Sequence, residues 1–308
     1  MDFELDQDQR AIVDAAEALL ARHAGAARAI ELARDGSYDH ALDEALTVAG
    51  FSDVFAGDGT GPLEAVLLIE AVAHAGGTTA FAADSLVVPA TVGRAGTGPT
   101  ALAMAGRSVP VRFAPEARAV LVLDGDDARL VALEAGTVEV VSSSFGYPMG
   151  RVGVEVLAGG ERLPAGAGET MRCWWRVALA AEAVGAMRAA LDVTTEYLKN
   201  RRQFGRAIGS FQAVQHRLAE CKVMIEGARW LVYEAAWRRA PAEESAVAAA
   251  HALTSAGRVF EETHQLSGAI GFTHEHDLHV WTMRLQALRL EMDGVGAHRR
   301  AVADARWA

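Results

Sequence analysis

The 308-residue chain predicts a mainly α fold with a small β domain set between two helical regions. Apolar residues recur at helical spacing up to about residue 98 and again from about 169 onward. Between them lie short valine-rich runs separated by Gly and Asp turns, the pattern of strands and hairpins. Hydrophobic residues make up 51% of the chain, and alanine is abundant in its second half, which suits closely packed helices. The expected division is an N-terminal helical domain over 1–98, a truncated middle β domain over 99–168, and a C-terminal four-helix bundle over 169–308.

Taken in order, residues 7–24 place Ile12, Ala16, Leu19 and Leu20 on one helical face. Helical patterns continue over 41–49, 63–75 and 85–92, separated by Gly57-Asp58-Gly59-Thr60-Gly61-Pro62 and Gly76-Gly77. Residues 109–113, 119–123, 129–133, 137–141 and 152–157 read as strands, with turns at Asp124-Gly125-Asp126-Asp127 and Gly159-Gly160. Helices return over 170–200, 210–239, 242–268 and 276–292. Val214, Leu218, Cys221, Ile225, Ala228 and Val232 repeat at helical spacing, and Pro241 separates the second helix from the third. Short links between long helices make an antiparallel bundle.

Charge and composition exclude some functions. A net charge of −11 opposes broad binding to nucleic acid or anionic membranes, which needs a basic surface. The apolar run over 177–191 is interrupted by Glu182 and Arg188, so it reads as a buried helix and not a membrane span. Met1-Asp2-Phe3-Glu4-Leu5-Asp6 is acidic where a secretory signal would be basic. Cys173 and Cys221 sit in helical patterns and suit a reducing compartment, so the expected location is the cytoplasm.

The segment Arg201-Arg202-Gln203-Phe204-Gly205-Arg206-Ala207-Ile208-Gly209-Ser210-Phe211-Gln212 carries the clearest chemical signal. It is a dibasic, glycine-punctuated turn, with Ser210 placed to cap the helix that follows. Fixed cations beside the amides of a helix start suit a diphosphate. The segment closely resembles the flavin-diphosphate turn of the acyl-CoA dehydrogenases, R-x-x-F-G-x-x-I-x-x-F-Q. The order of the three regions and the segments Val48-Ala49-Gly50-Phe51 and Gly61-Pro62-Leu63-Glu64-Ala65 resemble the same family.

That resemblance implies FAD as cofactor and an acyl-CoA thioester as substrate, losing an α-proton to a carboxylate and a β-hydride to the flavin. It implies cofactor contacts from Arg201, Gln203 and Phe204. It adds Gln265, Gly268 and Ala269 of the turn Gln265-Leu266-Ser267-Gly268-Ala269-Ile270-Gly271, where Ala269 replaces a family glycine. Arg176 matches a substrate-pocket arginine.

The family base falls on Asp293 when counted from Arg284, within Met292-Asp293-Gly294-Val295-Gly296. Aspartate is one methylene shorter than the family glutamate, and Val295 replaces a flavin-bonding threonine. Helical spacing points the nearby Glu291 elsewhere. The family's alternative base position is occupied by Trp175, which cannot take a proton. Nothing in 99–168 matches the family loops that hold the flavin ring; Ser142-Ser143-Ser144 is the nearest hydroxyl cluster.

The histidines of Gly271-Phe272-Thr273-His274-Glu275-His276-Asp277-Leu278-His279 lack zinc-helix spacing, so no metal is expected. Thr273 and Glu275 read as caps of the last helix. The balance of present and missing motifs resembles the short, base-deficient subunit of actinobacterial α2β2 acyl-CoA dehydrogenases that act on steroid side-chain thioesters. It implies a full-length partner subunit and an acceptor such as an electron-transfer flavoprotein. Two alternatives remain open at this point: a self-sufficient homo-oligomeric dehydrogenase using Asp293, and a flavin-free thioester-binding or scaffold protein.

Overall fold

The structure is a computed structural model describing residues 4–96 and 98–307. Met1, Asp2, Phe3, Thr97 and Ala308 lie outside the described residues, and with them the first three residues of the acidic opening.

Helix α1 (Gln7–His23) starts at a capping box in which Asp6 accepts from the Gln9 amide and the Gln9 side chain accepts from the Asp6 amide. Helix α2 (Ala26–Asp35), which the sequence reading did not anticipate, buries Ala29 and Leu32. Ala26 and Ile30 pack partly against the same core, and Arg28, Glu31, Arg34 and Asp35 occupy the other face. Helices α3 (His40–Val48) and α4 (Pro62–His74) follow. A π-helical turn at Ala83–Val87 then runs into α5 (Val88–Val92).

The middle region is two small sheets. Strands β1 (Thr100–Met104), β3 (Ala119–Asp124), β4 (Asp127–Ala132) and β7 (Glu161–Arg162) form one, in the order β1-β3-β4-β7, with β1 parallel to β3. Strands β2 (Val111–Arg112), β6 (Met149–Val152) and β5 (Val138–Val141) form the other. The expected strand over 152–157 is corrected: Val152 ends β6, and Val154–Leu157 is one helical turn, α6. The Gly153 carbonyl accepts from the amides of Val156 and Leu157, and Leu157 packs into the core of the β region.

Among the described residues the C-terminal region has five α-helices where the sequence suggested four: α7 (Ala167–Asn200), α8 (Gln212–Trp237), α9 (Ala242–Ser267), α10 (Leu278–Leu290) and α11 (Gly294–Trp307). Two glycines at the start of α11 disguised it as a loop. Over 177–187 helix α7 is buried all round, with α4, α8, α9 and α10 packed about it. At Gly185 it approaches α4 so closely that a Cβ would stand 2.3 Å from the Glu70 carbonyl oxygen.

Two expected caps are corrected. Ser210 does not cap α8; its hydroxyl donates to the Ala207 carbonyl at 2.7 Å, and Phe211 holds the cap position with no side-chain bond. Asp277 holds the cap position of α10, also without a side-chain bond, while the Thr273 hydroxyl donates to the Ile270 carbonyl at 2.9 Å. In both places a local turn satisfies the hydroxyl first.

Candidate functional site

The dibasic turn forms a hairpin of β8 (Arg202–Gln203) and β9 (Arg206–Ala207) directly after α7. Phe204 and Gly205 make its two-residue tip, with φ of 55° and 80°, the backbone of a type I′ turn. A phenylalanine with positive φ costs on the order of 1 kcal/mol or more, and here the residue is 89% exposed. The strained tip therefore presents an aromatic face to whatever approaches. Arg206 stacks on the Phe211 ring at 3.9 Å.

Arg201, Arg202 and Gln203 are exposed, and among the described residues neither arginine forms an ion pair. Because Ser210 is turned away, no side chain occupies the first amides of α8. Gln265, Gly268 and Ala269 are exposed at the end of α9, and Gly268 takes a φ of 66° and ψ of −147° that favour glycine. Both turns lie at one end of the bundle: Arg217 of α8 pairs with Glu262 of α9 at 2.5 Å, and Tyr197 packs on His276 at 5.2 Å. The structure thus brings the predicted cofactor residues to one surface. Their donor set, guanidiniums and amides beside free helix amides, fits an FAD diphosphate.

Asp293 lies elsewhere. Counting along α7, Arg201 stands 19 residues past Glu182, so about 28 Å of helix separates the hairpin from the cavity beside Glu182. That cavity, of about 350 Å³, is enclosed by the β1–β2 region, α7 and the end of α10. Its walls are mostly apolar, including Leu102, Val111, Phe145 and Met149. One wall is ionic. Arg112 donates Nη1 to Glu182 Oε1 at 3.0 Å and Nη2 to Glu182 Oε2 at 2.9 Å, and its Nε bonds Glu291 Oε1. Trp175 Nε1 donates to Glu291 Oε2 at 3.0 Å. Tyr147 packs between two guanidiniums, with Arg112 at 4.8 Å and Arg284 at 4.9 Å from its ring centre. Burial pushes the Glu291 carboxyl above its usual range, against the pull of Arg112.

The placement of Glu291 corrects the helical-spacing argument. Helix α10 stops at Leu290, and Met292 turns left-handed at φ 50° and ψ 46°, so Glu291 swings into the cavity. Asp293, with φ 68°, reaches the cavity rim, where Arg107 Nη2 donates to its Oδ2 at 3.0 Å. The residue expected from sequence as the base is thereby tied to the β1–β2 loop. Trp174 points away from the cavity and packs edge-on against Phe55.

Arg176 does not line the cavity. It is half-buried, its Nε has no hydrogen-bond partner, and burial lowers its pKa. His298 of α11 is buried near it; desolvation, with Arg176 adding to it, takes the imidazole down to about 4. In the histidine run, His274 and His279 contact ring to ring, and His279 Nδ1 lies 2.8 Å from the His276 carbonyl oxygen. Among the described residues no three His, Cys, Asp or Glu side chains converge as metal ligands.

Arg112, Glu182, Arg107 and Tyr147 were not singled out from sequence as site residues. A signal was present for two of them. Glu182 is a lone acid in an apolar helix, and Arg112 a lone base in a valine-rich strand; each needs a buried partner.

Residues 173–303 match the family model described as "Acyl-CoA dehydrogenase, C-terminal domain". Acyl-CoA dehydrogenase IpdE2 of Mycobacterium tuberculosis is 44% identical over 110 residues, 35% of this chain and 34% of that protein. The matched stretch thus spans about a third of that relative's length. Two solved structures share the fold along nearly the whole chain. The ChsE4–ChsE5 complex from Mycobacterium tuberculosis matches at a TM-score of 0.82 and 20% identity, covering 99% of this chain and 98% of that one. Butyryl-CoA dehydrogenase from Megasphaera elsdenii matches at 0.81 and 20%, covering 99% of each.

Proposed function

We propose that this chain, which has the acyl-CoA dehydrogenase fold and carries that family's C-terminal domain at 173–303, is one subunit of a heteromeric FAD-dependent acyl-CoA dehydrogenase. In this reading it holds the diphosphate and adenine side of a cofactor whose reactive ring lies in a partner subunit. The observation that carries it is the separation described above. The exposed hairpin at 201–207 stands about 28 Å of helix from Glu182 and the carboxylates that line the cavity with it.

Arg201 and Arg202 would neutralise the diphosphate, the open amides of α8 would add donors, and Phe204 would cover the cofactor from its strained tip. Gln265 and the backbone at Gly268 would border the same group from α9. The flavin, when bound, accepts the hydride removed from the acyl chain. The α-proton goes to a partner carboxylate, because Asp293 is engaged with Arg107. Among the structural relatives, ChsE4–ChsE5 is a complex of two differently named chains, which is compatible with a paired assembly here. A separate acceptor protein would reoxidise the reduced flavin.

The test is to purify the chain alone and with a co-expressed partner dehydrogenase subunit, then record visible spectra and turnover. Flavin absorbance and activity confined to the complex support the proposal. A yellow, active lone chain would overturn it and favour Asp293 as base; a colourless, inactive complex would favour a scaffold.

A further inference from the structure

The cavity beside Arg112 is large enough for a small ligand of its own. At about 350 Å³ it sits at the small end of ligand pockets, which run to roughly 1,000 Å³. It therefore has room for one compact molecule. Apolar side chains from the β1–β2 region, α7 and the end of α10 form most of its wall.

The polar spot in that wall has an uneven hydrogen-bonding capacity. Each oxygen of Glu182 accepts one bond, both from Arg112. Each oxygen of Glu291 also accepts one, from Arg112 and from Trp175. A carboxylate offers about four acceptor sites, so roughly half of the capacity on both side chains is unused. Arg112 spends three of its five N–H groups on these carboxylates, and the Trp175 N–H is fully used. The unused acceptor sites, about four, therefore outnumber the two unused Arg112 N–H groups by about two to one. Arg284 lies behind Tyr147, outside the cavity lining; its Nη groups go to the Gly77 carbonyl, the Thr78 hydroxyl and the Gly146 carbonyl, and its buried Nε has no hydrogen-bond partner. A ligand that completes the site must bring a donor.

We infer that this cavity binds a compact apolar molecule presenting a hydroxyl group to Glu182 and Glu291, and discriminates against the matching ketone and carboxylate. A ketone offers only acceptors. A carboxylate adds a third negative charge beside two that share Arg112. The Arg107–Asp293 pair at the rim, with Val109 and Leu290 beside it, borders the way in. The inference does not rest on the shared-cofactor reading, since it needs neither flavin nor partner.

The test uses three molecules with one skeleton: 4-tert-butylcyclohexanol, 4-tert-butylcyclohexanone and 4-tert-butylcyclohexanecarboxylate. Each is titrated calorimetrically into the full chain. The alcohol should bind about tenfold or more tighter than the ketone, and the carboxylate weakest, as expected for one satisfied hydrogen bond. Glu291→Gln, which puts an amide donor in the wall, should abolish or invert the preference. Ala178→Leu, which fills the cavity from α7, should weaken all three; Leu290→Trp at the exposed rim serves if that variant does not fold.

A parallel titration with the CoA thioester of 4-hydroxycyclohexanecarboxylate distinguishes sources. Binding of the thioester assigns the hydroxyl to an acyl group, and binding of the free alcohol alone assigns it to a small alcohol. Equal affinity for alcohol and ketone, a preference for the carboxylate, or no binding of any probe overturns the inference. None of these readouts depends on whether FAD co-purifies.

Discussion

Arg112 and Glu182 meet in a two-point ion pair at 2.9 and 3.0 Å, with only 10% and 11% of their side chains exposed. They lie 70 residues apart, one on a strand and one on α7, so the pair locks the β region onto the bundle. Glu182→Ala leaves a buried guanidinium holding only Glu291. It should cost about 3–5 kcal/mol, seen as a lower urea midpoint with an unchanged slope. Glu182→Gln, which keeps an acceptor, should cost less.

Gly185→Ala addresses packing. A Cβ there would stand 2.3 Å from the Glu70 carbonyl oxygen and 2.9 Å from the Ala73 Cβ, so α4 and α7 must separate. Overpacking of this kind costs roughly 1–3 kcal/mol. A drop in thermal midpoint of several degrees is the expected outcome; an unchanged midpoint would mean the two helices can part freely.

Much of this architecture is legible in the sequence, and the misses have physical causes. Periodicity marks α1, α4 and the long bundle helices because each buries a continuous face. It was missed for α2, a ten-residue helix rich in charged residues, and for α11, which opens on two glycines. The Ser210 cap fails because a nearer carbonyl claims the hydroxyl. Glu291 was assigned to a helix that Met292 interrupts, and one left-handed residue redirects the side chain into the cavity. The Arg112–Glu182 pair depends on a 70-residue separation that no local pattern encodes.

His298 carries a pH signature. Burial lowers its pKa from 6.5 to about 4. As pH falls from 6.5 towards 4, the unfolded chain takes up a proton that the folded chain refuses, so stability falls through that window. The loss is on the order of 3 kcal/mol by its lower end. Asp84 and Glu291, whose pKa values are raised by burial, act in the opposite sense. Comparing thermal midpoints of the native chain with His298→Leu isolates the histidine: the native chain should lose more on acidification than the variant. Parallel curves would contradict this.

Asp293→Asn separates a base from a tether. With Asp293 held by Arg107, the variant complex should keep its flavin and turn over at nearly the native rate. Residues 105–110 should exchange amide hydrogens faster as the tether weakens. A fall in kcat of about 10²-fold or more, the size of a lost general base, would instead make Asp293 catalytic.

The central claim is that this chain grips a cofactor whose reactive end belongs to another subunit, and Arg201 tests it most directly. Its side chain is exposed and makes no ion pair among the described residues, so Arg201→Ala should leave the thermal midpoint of the lone chain unchanged. In the assembled complex at dilute cofactor, the same substitution should weaken FAD retention by about 10- to 100-fold, the worth of one charge-assisted bond at roughly 1.5–3 kcal/mol. Full FAD occupancy in the Arg201→Ala complex under those conditions would contradict the account.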